Sequence, residues 1–315
     1  MLLVIAPNLA IDRILEVDAI RVHQVQRCRS VLTQPGGKGS NVARVFRQLG
    51  GEVVLIGFVG RRNGASIREP LQQMGIHVEA IEGWDGESRT CTIIRSGLSN
   101  DHPTVINEES PEVQPNAIDA INAKIDEWLS RVHAVLVTGS LSRGLPEDFY
   151  ARVIERANRR KLITAIDAAG QVMRRGLEAR PVLLKANFEE IDGVLGPLPA
   201  ERTQLAGAIQ EMRGLAPSQT IITLGEAGAV LITQEEAWWA KPPRISTVNP
   251  IGAGDAFAAG YLKSLMDGAT LETALRFAVG VAAADVATPQ PGYITPSELA
   301  PLVSSVHAER IGIKN

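Results

Sequence analysis

The chain has 315 residues, a formal net charge of −3 at pH 7 and an apolar content of 45%, which is typical of a globular protein with a sizeable core. Scattered Lys and Arg and an aromatic content of 4% argue against a nucleic-acid partner, and no apolar run approaches membrane-spanning length. The two cysteines, Cys28 and Cys91, stand far apart with no His cluster, which argues against a metal centre or a disulfide framework. We therefore expect a cytoplasmic protein of one or two domains.

The first third of the chain mixes two patterns. Residues 2–6 predict a buried strand that stops at Pro7-Asn8, whereas residues 9–33 and 85–108 alternate polar and apolar residues. The two alternating stretches predict a small β-sheet that covers the main domain as a lid. Because exposed lid strands often pair between subunits, we expect a homodimer through the lid. The main α/β domain is then predicted to comprise 1–8, 34–84 and 109–315.

A glycine-rich segment, Gly36-Gly37-Lys38-Gly39-Ser40-Asn41, precedes apolar residues at helical spacing. Lys38 supplies a positive charge, and Asn41 in the first helical turn can exchange hydrogen bonds with a hydroxyl. The spacing differs from a Walker A loop, so we do not expect P-loop nucleotide binding here. A flexible turn is the alternative interpretation.

From residue 115 onward, helical and strand patterns alternate regularly, which predicts a mostly parallel central sheet with helices on both faces. The predicted helices are 116–130, 148–160 and 200–213, and the predicted strands are 134–138, 162–167, 182–185, 220–224 and 229–233. Open α/β sheets bind ligands at the carboxyl ends of their strands, where Ser140, Lys185 and Gly225 fall. Asp12, near the end of another strand, either holds sugar hydroxyls or is a plain turn residue.

The segment Gly252-Ala253-Gly254-Asp255 turns directly into an apolar helix. Free amides at a helix start bind anions, and the glycines allow a phosphate to approach closely. Asp255 beside such a site is either a helix cap or a reacting group, and we expect the helix terminus to favour its charged form. Together with a hydrated Mg²⁺ near Asn187 and Glu190, this arrangement suits phosphoryl transfer.

Four segments resemble motifs of the ribokinase-like PfkB family of carbohydrate kinases, above all its phosphosugar branch of 1-phosphofructokinases and tagatose-6-phosphate kinases. These segments are 36–43, 139–141, 185–190 and 252–255. The resemblance implies an α/β domain with a β lid, the cofactors ATP and Mg²⁺, and Asp255 as catalytic base beside Gly252, Ala253 and Gly254. It implies a sugar-phosphate site at Asp12, Gly37, Lys38, Asn41 and Arg89, and a nucleotide site at Lys185, Asn187, Glu190, Leu224, Gly225 and Gly228. Ser140, just past a strand, is a further candidate for substrate binding.

The implied reaction is ATP-dependent phosphorylation of a ketohexose phosphate hydroxyl. Fructose 1-phosphate is the first candidate substrate, ahead of tagatose 6-phosphate and fructose 6-phosphate. A substrate that already carries phosphate needs a cation such as Lys38, and Arg27 and Arg89 on the lid strands would complete the clamp.

Departures from the family pattern keep alternatives open. The departures are Arg62, Ser142-Arg143, Ala186, Asn249-Pro250 and Asp285. Relatives place a potassium site near the 249–250 position, so potassium is a third candidate cofactor. A non-catalytic sugar-phosphate-binding relative stays possible. A dinucleotide-dependent oxidoreductase is disfavoured, because its glycine fingerprint belongs after the first strand, where this chain has Pro7-Asn8.

Overall fold

The first strand shows how this sequence builds a central layer. Leu2 and Val4 lie in the core on one face of the sheet, and Leu3 and Ile5 lie in the core on the other. A strand that is apolar on both sides is typical of a parallel sheet covered by helices on both faces. The computed structural model describes residues 1–96, 103–196, 198–199, 201–211 and 217–312.

The described residues form two sheets and ten α-helices. The strands are β1 (Leu2–Asn8), β2 (Ala10–Val17), β3 (Ser30–Gly36), β4 (Val53–Gly60), β5 (His77–Trp84), β6 (Thr90–Ser96), β7 (Thr104–Asn107), β8 (Ala134–Thr138), β9 (Ile163–Asp167), β10 (Leu183–Asn187), β11 (Gln219–Thr223), β12 (Ala229–Ile232), β13 (Ala237–Lys241) and β14 (His307–Ile311). The helices are α1 (Lys38–Gln48), α2 (Ala65–Gln73), α3 (Pro115–Trp128), α4 (Phe149–Arg159), α5 (Gly170–Glu178), α6 (Phe188–Leu195), α7 (Arg202–Glu211), α8 (Ala253–Met266), α9 (Leu271–Val286) and α10 (Pro296–Ser304).

The large sheet has ten strands in the order β14-β13-β12-β11-β10-β9-β8-β1-β4-β5. The run from β5 to β11 is parallel, and the last three strands are antiparallel. Helices α1, α2, α8 and α9 pack on one face, and α3, α4, α5 and α7 pack on the other. The predicted fold class, a mostly parallel sheet with helices on both faces and a small second sheet, is therefore confirmed.

The second sheet has four strands in the order β3-β2-β6-β7, with β2 antiparallel to β3 and parallel to β6. Ile14 and Ile93 are buried on it, whereas Val31, Val105 and Ile106 are exposed. Strand β3 crosses the predicted boundary between residues 33 and 34. The division of the chain into a kinase domain and a lid stays a prediction. None of the described helices combines the length and apolar character needed to cross a membrane.

Candidate active site

A cleft of about 2130 Å³ opens between the carboxyl edge of the large sheet and the small sheet. It brings together fifteen of the seventeen side chains or glycines that the sequence analysis selected. They are Asp12, Gly37, Lys38, Asn41, Arg89, Ser140, Lys185, Asn187, Glu190, Gly225, Gly228, Gly252, Ala253, Gly254 and Asp255. These residues come from β2, α1, the approach to β6, the end of β10, and the starts of α6 and α8, and from loops after β8 and β11, so the strand order creates the site.

The start of α8 has the features of an anion site. Gly252 is the N-cap, with φ 93° and no side-chain cap. The amides of Ala253, Gly254 and Asp255 meet no acceptor within the described part of the chain. A Cβ built on Gly254 would lie 2.8 Å from Lys185 Nζ, so an ammonium group lies beside the open amides. Positive charge and free donors therefore face the same point of the cleft.

Asp255 lies next to these amides and is 6% exposed. Asn41 Nδ2 donates a 2.8 Å hydrogen bond to Asp255 Oδ2. Burial raises the pKa of Asp255 to about 6; Lys38 lowers it and Asp167 raises it further. The expectation that the helix terminus would favour the charged form is wrong, because loss of water around the carboxylate outweighs the helix dipole. A carboxyl with this pKa is a better proton acceptor than an ordinary aspartate.

Asp167, at the end of β9, is completely buried and accepts hydrogen bonds from two lysines. Lys38 Nζ lies 2.8 Å from its Oδ1, and Lys185 Nζ lies 3.2 Å from its Oδ2. Although burial opposes ionisation, these two ammonium groups hold the pKa of Asp167 below its ordinary value. Burial also disfavours the charged form of Lys38, but Asp167, Asp255 and Glu190 together raise the Lys38 pKa.

Asn187 and Glu190 form a capping box at the start of α6. Asn187 Oδ1 accepts the amide of Glu190 at 2.7 Å, and Glu190 Oε2 accepts the amide of Asn187 at 2.9 Å. The other oxygen of Glu190 accepts from Lys38 at 3.0 Å. Both carboxylate oxygens are thus in use, which suits contact with a hydrated Mg²⁺ through water better than direct coordination. In the described ranges, no group of three or more His, Cys, Asp or Glu forms a metal cluster.

The opposite side of the cleft is formed by the small sheet. Asp12 is 4% exposed, and burial raises its pKa to about 6, against the lowering effect of Arg44 and Arg89. Arg89 donates to the carbonyl of Asn8 at 3.1 Å, and Asn8 Nδ2 donates to Ser140 Oγ at 2.9 Å. Among the residues that the structure describes, no carboxylate lies within ion-pair distance of Arg89. Its Nη1 also donates to Cys91 Sγ at 3.3 Å, so both of these hydrogen bonds go to neutral acceptors.

Two selected residues lie outside the cleft lining. Arg27 is exposed on the connection between β2 and β3, and Leu224 precedes the turn at Gly225–Ala227. Asp285, one of the departures from the family pattern, is 1% exposed and does not line the cleft. Its Oδ1 accepts the amides of Gly292 and Tyr293 at 2.7 and 3.0 Å.

Sequence reasoning missed four polar residues of this region: Asn8, Arg44, Arg95 and Asp167. Asp167 carried a usable signal, since it is an acid at the carboxyl end of an otherwise apolar strand. Arg44 carried another, because it lies three residues after Asn41 on the same helical face. Asn8 and Arg95 carried none, since their partners come from distant segments.

A family model for the pfkB family carbohydrate kinase matches residues 2–298. Solved structures with similar folds include a possible 1-phosphofructokinase from Thermotoga maritima, at 21% identity over 99% of both chains with a TM-score of 0.85. Phosphofructokinase-2 from Escherichia coli, in complex with substrates and products, is 20% identical over 96% of this chain and 98% of that one, with a TM-score of 0.88. Ribokinase from Arabidopsis thaliana, complexed with ribose and ATP, is 20% identical over the same shares, with a TM-score of 0.76. At these identities the structural likeness concerns the fold. The match of the family model over most of the chain shows that this protein belongs to the PfkB family of carbohydrate kinases.

Proposed function

We propose that the protein transfers the γ-phosphoryl group of ATP to a free hydroxyl of a ketohexose phosphate. Fructose 1-phosphate is the first candidate substrate, with fructose 1,6-bisphosphate as product. The proposal depends chiefly on one observation: the buried carboxylate of Asp255 lies beside the open amides of the α8 start and the ammonium of Lys185. That arrangement can orient a hydroxyl toward a phosphoryl group while it stabilises negative charge.

In this mechanism Asp255 accepts the proton of the attacking hydroxyl, and the hydrogen bond from Asn41 fixes the orientation of the carboxylate. The amides of residues 253–255 and Lys185 bind the oxygens of the moving phosphoryl group. Mg²⁺, when bound with the nucleotide, would neutralise phosphate charge, and Asn187 and Glu190 would hold it through water. Gly225 and Gly228 flank the turn after β11, on the side assigned to the nucleotide together with Leu224.

The substrate phosphate is assigned to the small-sheet side of the cleft. Arg89 is the first candidate there because it has no paired carboxylate among the described residues. Lys38 must leave Asp167 or Glu190 to reach the same phosphate, and Arg27 must move inward from the surface. Asp12 would hold sugar hydroxyls.

The substrate class is tested by ADP release, measured with fructose 1-phosphate, tagatose 6-phosphate, fructose 6-phosphate, ribose and adenosine. We expect turnover with a phosphorylated ketohexose and little with ribose or adenosine.

The Escherichia coli phosphofructokinase-2 has been crystallised in complex with potassium. In this chain Asn249 is neutral, and both polar atoms of its side chain are already hydrogen-bonded. The ADP-release assay should therefore be run with and without potassium, which tests whether the ion is needed. Calorimetric binding of a phosphosugar without any turnover in Mg-ATP would favour a non-catalytic binding protein.

The base assignment is tested by Asp255→Asn, which keeps the size of the side chain and removes proton acceptance. We expect kcat to fall by about 10²- to 10⁴-fold. Asp267→Asn, at the exposed end of the same helix, is the matched control and should retain activity. Near-normal ADP release by the Asp255 variant would overturn the assignment.

We also propose a homodimer through the exposed face of the small sheet, where Val31, Val105 and Ile106 face solvent in the single chain. Sedimentation velocity of the protein and of Ile106→Glu tests this contact. We expect a dimer that the substitution weakens. A monomer at all concentrations would contradict it.

A further inference from the structure

Arg44 is a buried cation that has no role in the mechanism proposed above. It lies on α1 and is 0% exposed, yet no carboxylate oxygen of the described chain lies within ion-pair distance of it. Burying a guanidinium without an ionic partner is costly, so its hydrogen bonds must compensate. Burial lowers the pKa of Arg44, while Tyr293 and the nearby aspartates oppose that shift.

The hydrogen bonds of Arg44 connect three separate segments. Nη1 donates to the carbonyl of Pro35 at 2.6 Å, and Nη2 donates to the carbonyl of Pro291 at 3.0 Å. Nη2 also donates to Asn41 Oδ1 at 2.5 Å. The guanidinium lies 5.0 Å from the centre of the Tyr293 ring. Arg44 therefore holds the end of β3, the first turn of α1 and the loop before α10 together.

The contact with Asn41 determines which way the Asn41 amide points. Because its oxygen faces Arg44, its NH₂ group must face Asp255 Oδ2, as observed at 2.8 Å. The reversed amide would place a donor against the guanidinium and an oxygen against the carboxylate, both unfavourable. Arg44 thus excludes the amide orientation that would repel Asp255.

We propose that Arg44 is a positioning residue for phosphoryl transfer: it orients Asn41, which in turn holds Oδ2 of Asp255 and leaves Oδ1 for the acceptor hydroxyl. This inference rests on the proposed function, because it takes Asp255 as the base. The charged groups around Asp255 are Lys38, Arg44, Asp167, Lys185 and Asp285.

The first test is Arg44→Met, which keeps an apolar stem and removes the donors. We expect kcat to fall by about 10- to 100-fold, with the KM for ATP little changed, because geometry at the reacting atoms is lost. The acid limb of the pH profile should move upward by about one unit, because the hydrogen bond from Asn41 favours the charged form of Asp255. A fall in kcat without that movement would mean that Arg44 acts only on the folded scaffold, and would overturn the proposal.

The second test is a double-mutant cycle of Arg44→Met and Asn41→Ala. If Arg44 acts through Asn41, the double variant should be about as slow as Asn41→Ala alone. Additive losses in kcat would overturn the proposal. If the Met variant does not fold, Arg44→Lys replaces it in both tests. Lysine keeps the charge, but its single nitrogen cannot reach all three acceptors in the same geometry. The Lys variant should show a smaller loss with the limb moved in the same direction.

Gln48 provides a matched control on the same helix. It donates to the carbonyl of Gly292 and accepts from the amide of Ile294, so it holds the same loop without touching Asn41. Gln48→Ala should lower stability and leave the acid limb in place. If it reproduced the Arg44 profile, fixing the loop would be the cause and the proposal would fail.

The proposed function can fail separately. In the resting protein, ¹³C NMR of labelled aspartates reports the ionisation of Asp255 without turnover, with Asp12→Asn and Asp255→Asn as assignment variants. An inactive wild type with an Asp255 signal that moves on Arg44→Met would contradict the kinase assignment and leave the positioning role intact. An active wild type whose Asp255 signal does not move on Arg44→Met would support the kinase assignment and overturn the positioning role of Arg44.

Discussion

At Asp255, two electrostatic effects of opposite sign meet. The start of α8 favours a carboxylate, whereas burial favours the neutral acid, and burial wins with a pKa of about 6. The same competition acts at Asp12, where two arginines oppose burial and the pKa is again about 6. Burial therefore raises the pKa of both Asp255 and Asp12 well above that of an ordinary aspartate.

This predicts an acid limb in the activity profile. Asp255 accepts a proton only when ionised, so kcat should be constant above its pKa and fall about tenfold per pH unit well below pH 6. Steady-state rates between pH 5 and 8 with saturating substrates measure it. Because Asp12 and Asp255 have similar pKa values, Asp12→Asn shows which of them causes the acid limb. If Asp255 causes it, the acid limb in kcat should persist in this variant. A flat profile down to pH 5 would contradict the base role.

Asp285 predicts a pH effect on stability rather than on rate. Burial, followed by repulsion from Asp255, raises its pKa to about 8 from an ordinary value of 3.8. Between these values the folded state binds more protons than the unfolded state. Asp285 therefore contributes fully to the free energy of unfolding below about pH 4. This contribution falls by up to about 1.4 kcal/mol per pH unit as the pH rises from there, and it is lost once the pH has passed through 8.

Asp285→Asn removes that titration and keeps an oxygen for the amides of Gly292 and Tyr293. We expect the variant to gain stability relative to wild type between pH 5 and 9, as measured by urea unfolding. Asp148→Asn, near the surface beside Arg152, is the control and should follow the wild type. If stability varied with pH in the same way for Asp285→Asn and for the wild type, Asp285 would be ionised over the whole range from pH 5 to 9.

Among the elements, α6 combines a structural and a functional requirement. Asn187 caps this helix and also lines the cleft. Asn187→Ala should lower the free energy of unfolding by about 1 kcal/mol without nucleotide, and should also raise the KM for Mg-ATP. Thr270→Ala is the matched control, because Thr270 caps α9. It should lower stability by a similar amount with KM unchanged; equal KM values for both variants would remove Asn187 from the nucleotide site.

The sequence predicted those elements whose pattern is local. Strands such as β8 and β9 were predicted within a residue, because they are short apolar runs bounded by turns. Helices α5, α9 and α10 and strands β13 and β14 were not delimited. Helix α9 is apolar around most of its circumference, so it lacks the amphipathic period, and β14 is exposed along most of its length. Tertiary packing, which a local pattern does not contain, determines both.

The site was predictable where chemistry and spacing coincide. The glycines around Lys38 and before Asp255 could be identified because each group stands at the start of a helix beside a polar side chain, a pattern typical of anion-binding loops. The pairing of Lys38 with Asp167 could not, since 129 residues separate the two side chains along the chain. The raised pKa of Asp255 likewise depends on how deeply α8 is buried.

At the scale of the whole molecule, Arg95 ties the small sheet to the α/β domain. From β6 it donates to the carbonyl of Val248 at 3.0 Å and to that of Pro289 at 3.1 Å. Val248 lies just before the α8 loop. The contact therefore connects the position of the small sheet to the segment that leads into the start of α8.

We expect Arg95→Ala to raise the ratio of ATP hydrolysis to sugar phosphorylation, because a lid that closes poorly admits water to the phosphoryl group. Parallel assays of ADP and sugar product measure the ratio. Arg61→Ala, which removes a surface pair with Glu82, is the control. Hydrogen exchange should also show protection of the lid strands when substrate binds. An unchanged ratio and unchanged exchange would together contradict lid closure.

The ammonium of Lys38 joins the two halves of the cleft, since it belongs to α1 and pairs with Glu190 on α6. An incoming sugar phosphate that recruits this lysine also frees Glu190 for the waters around the metal. The first ligand to arrive thus alters the affinity for the second, and thermodynamic reciprocity requires the effect to be equal in both directions. If Lys38 and Glu190 have these proposed roles, we expect the two substrates to bind cooperatively, because recruitment of the ammonium group by one would release the carboxylate for the other.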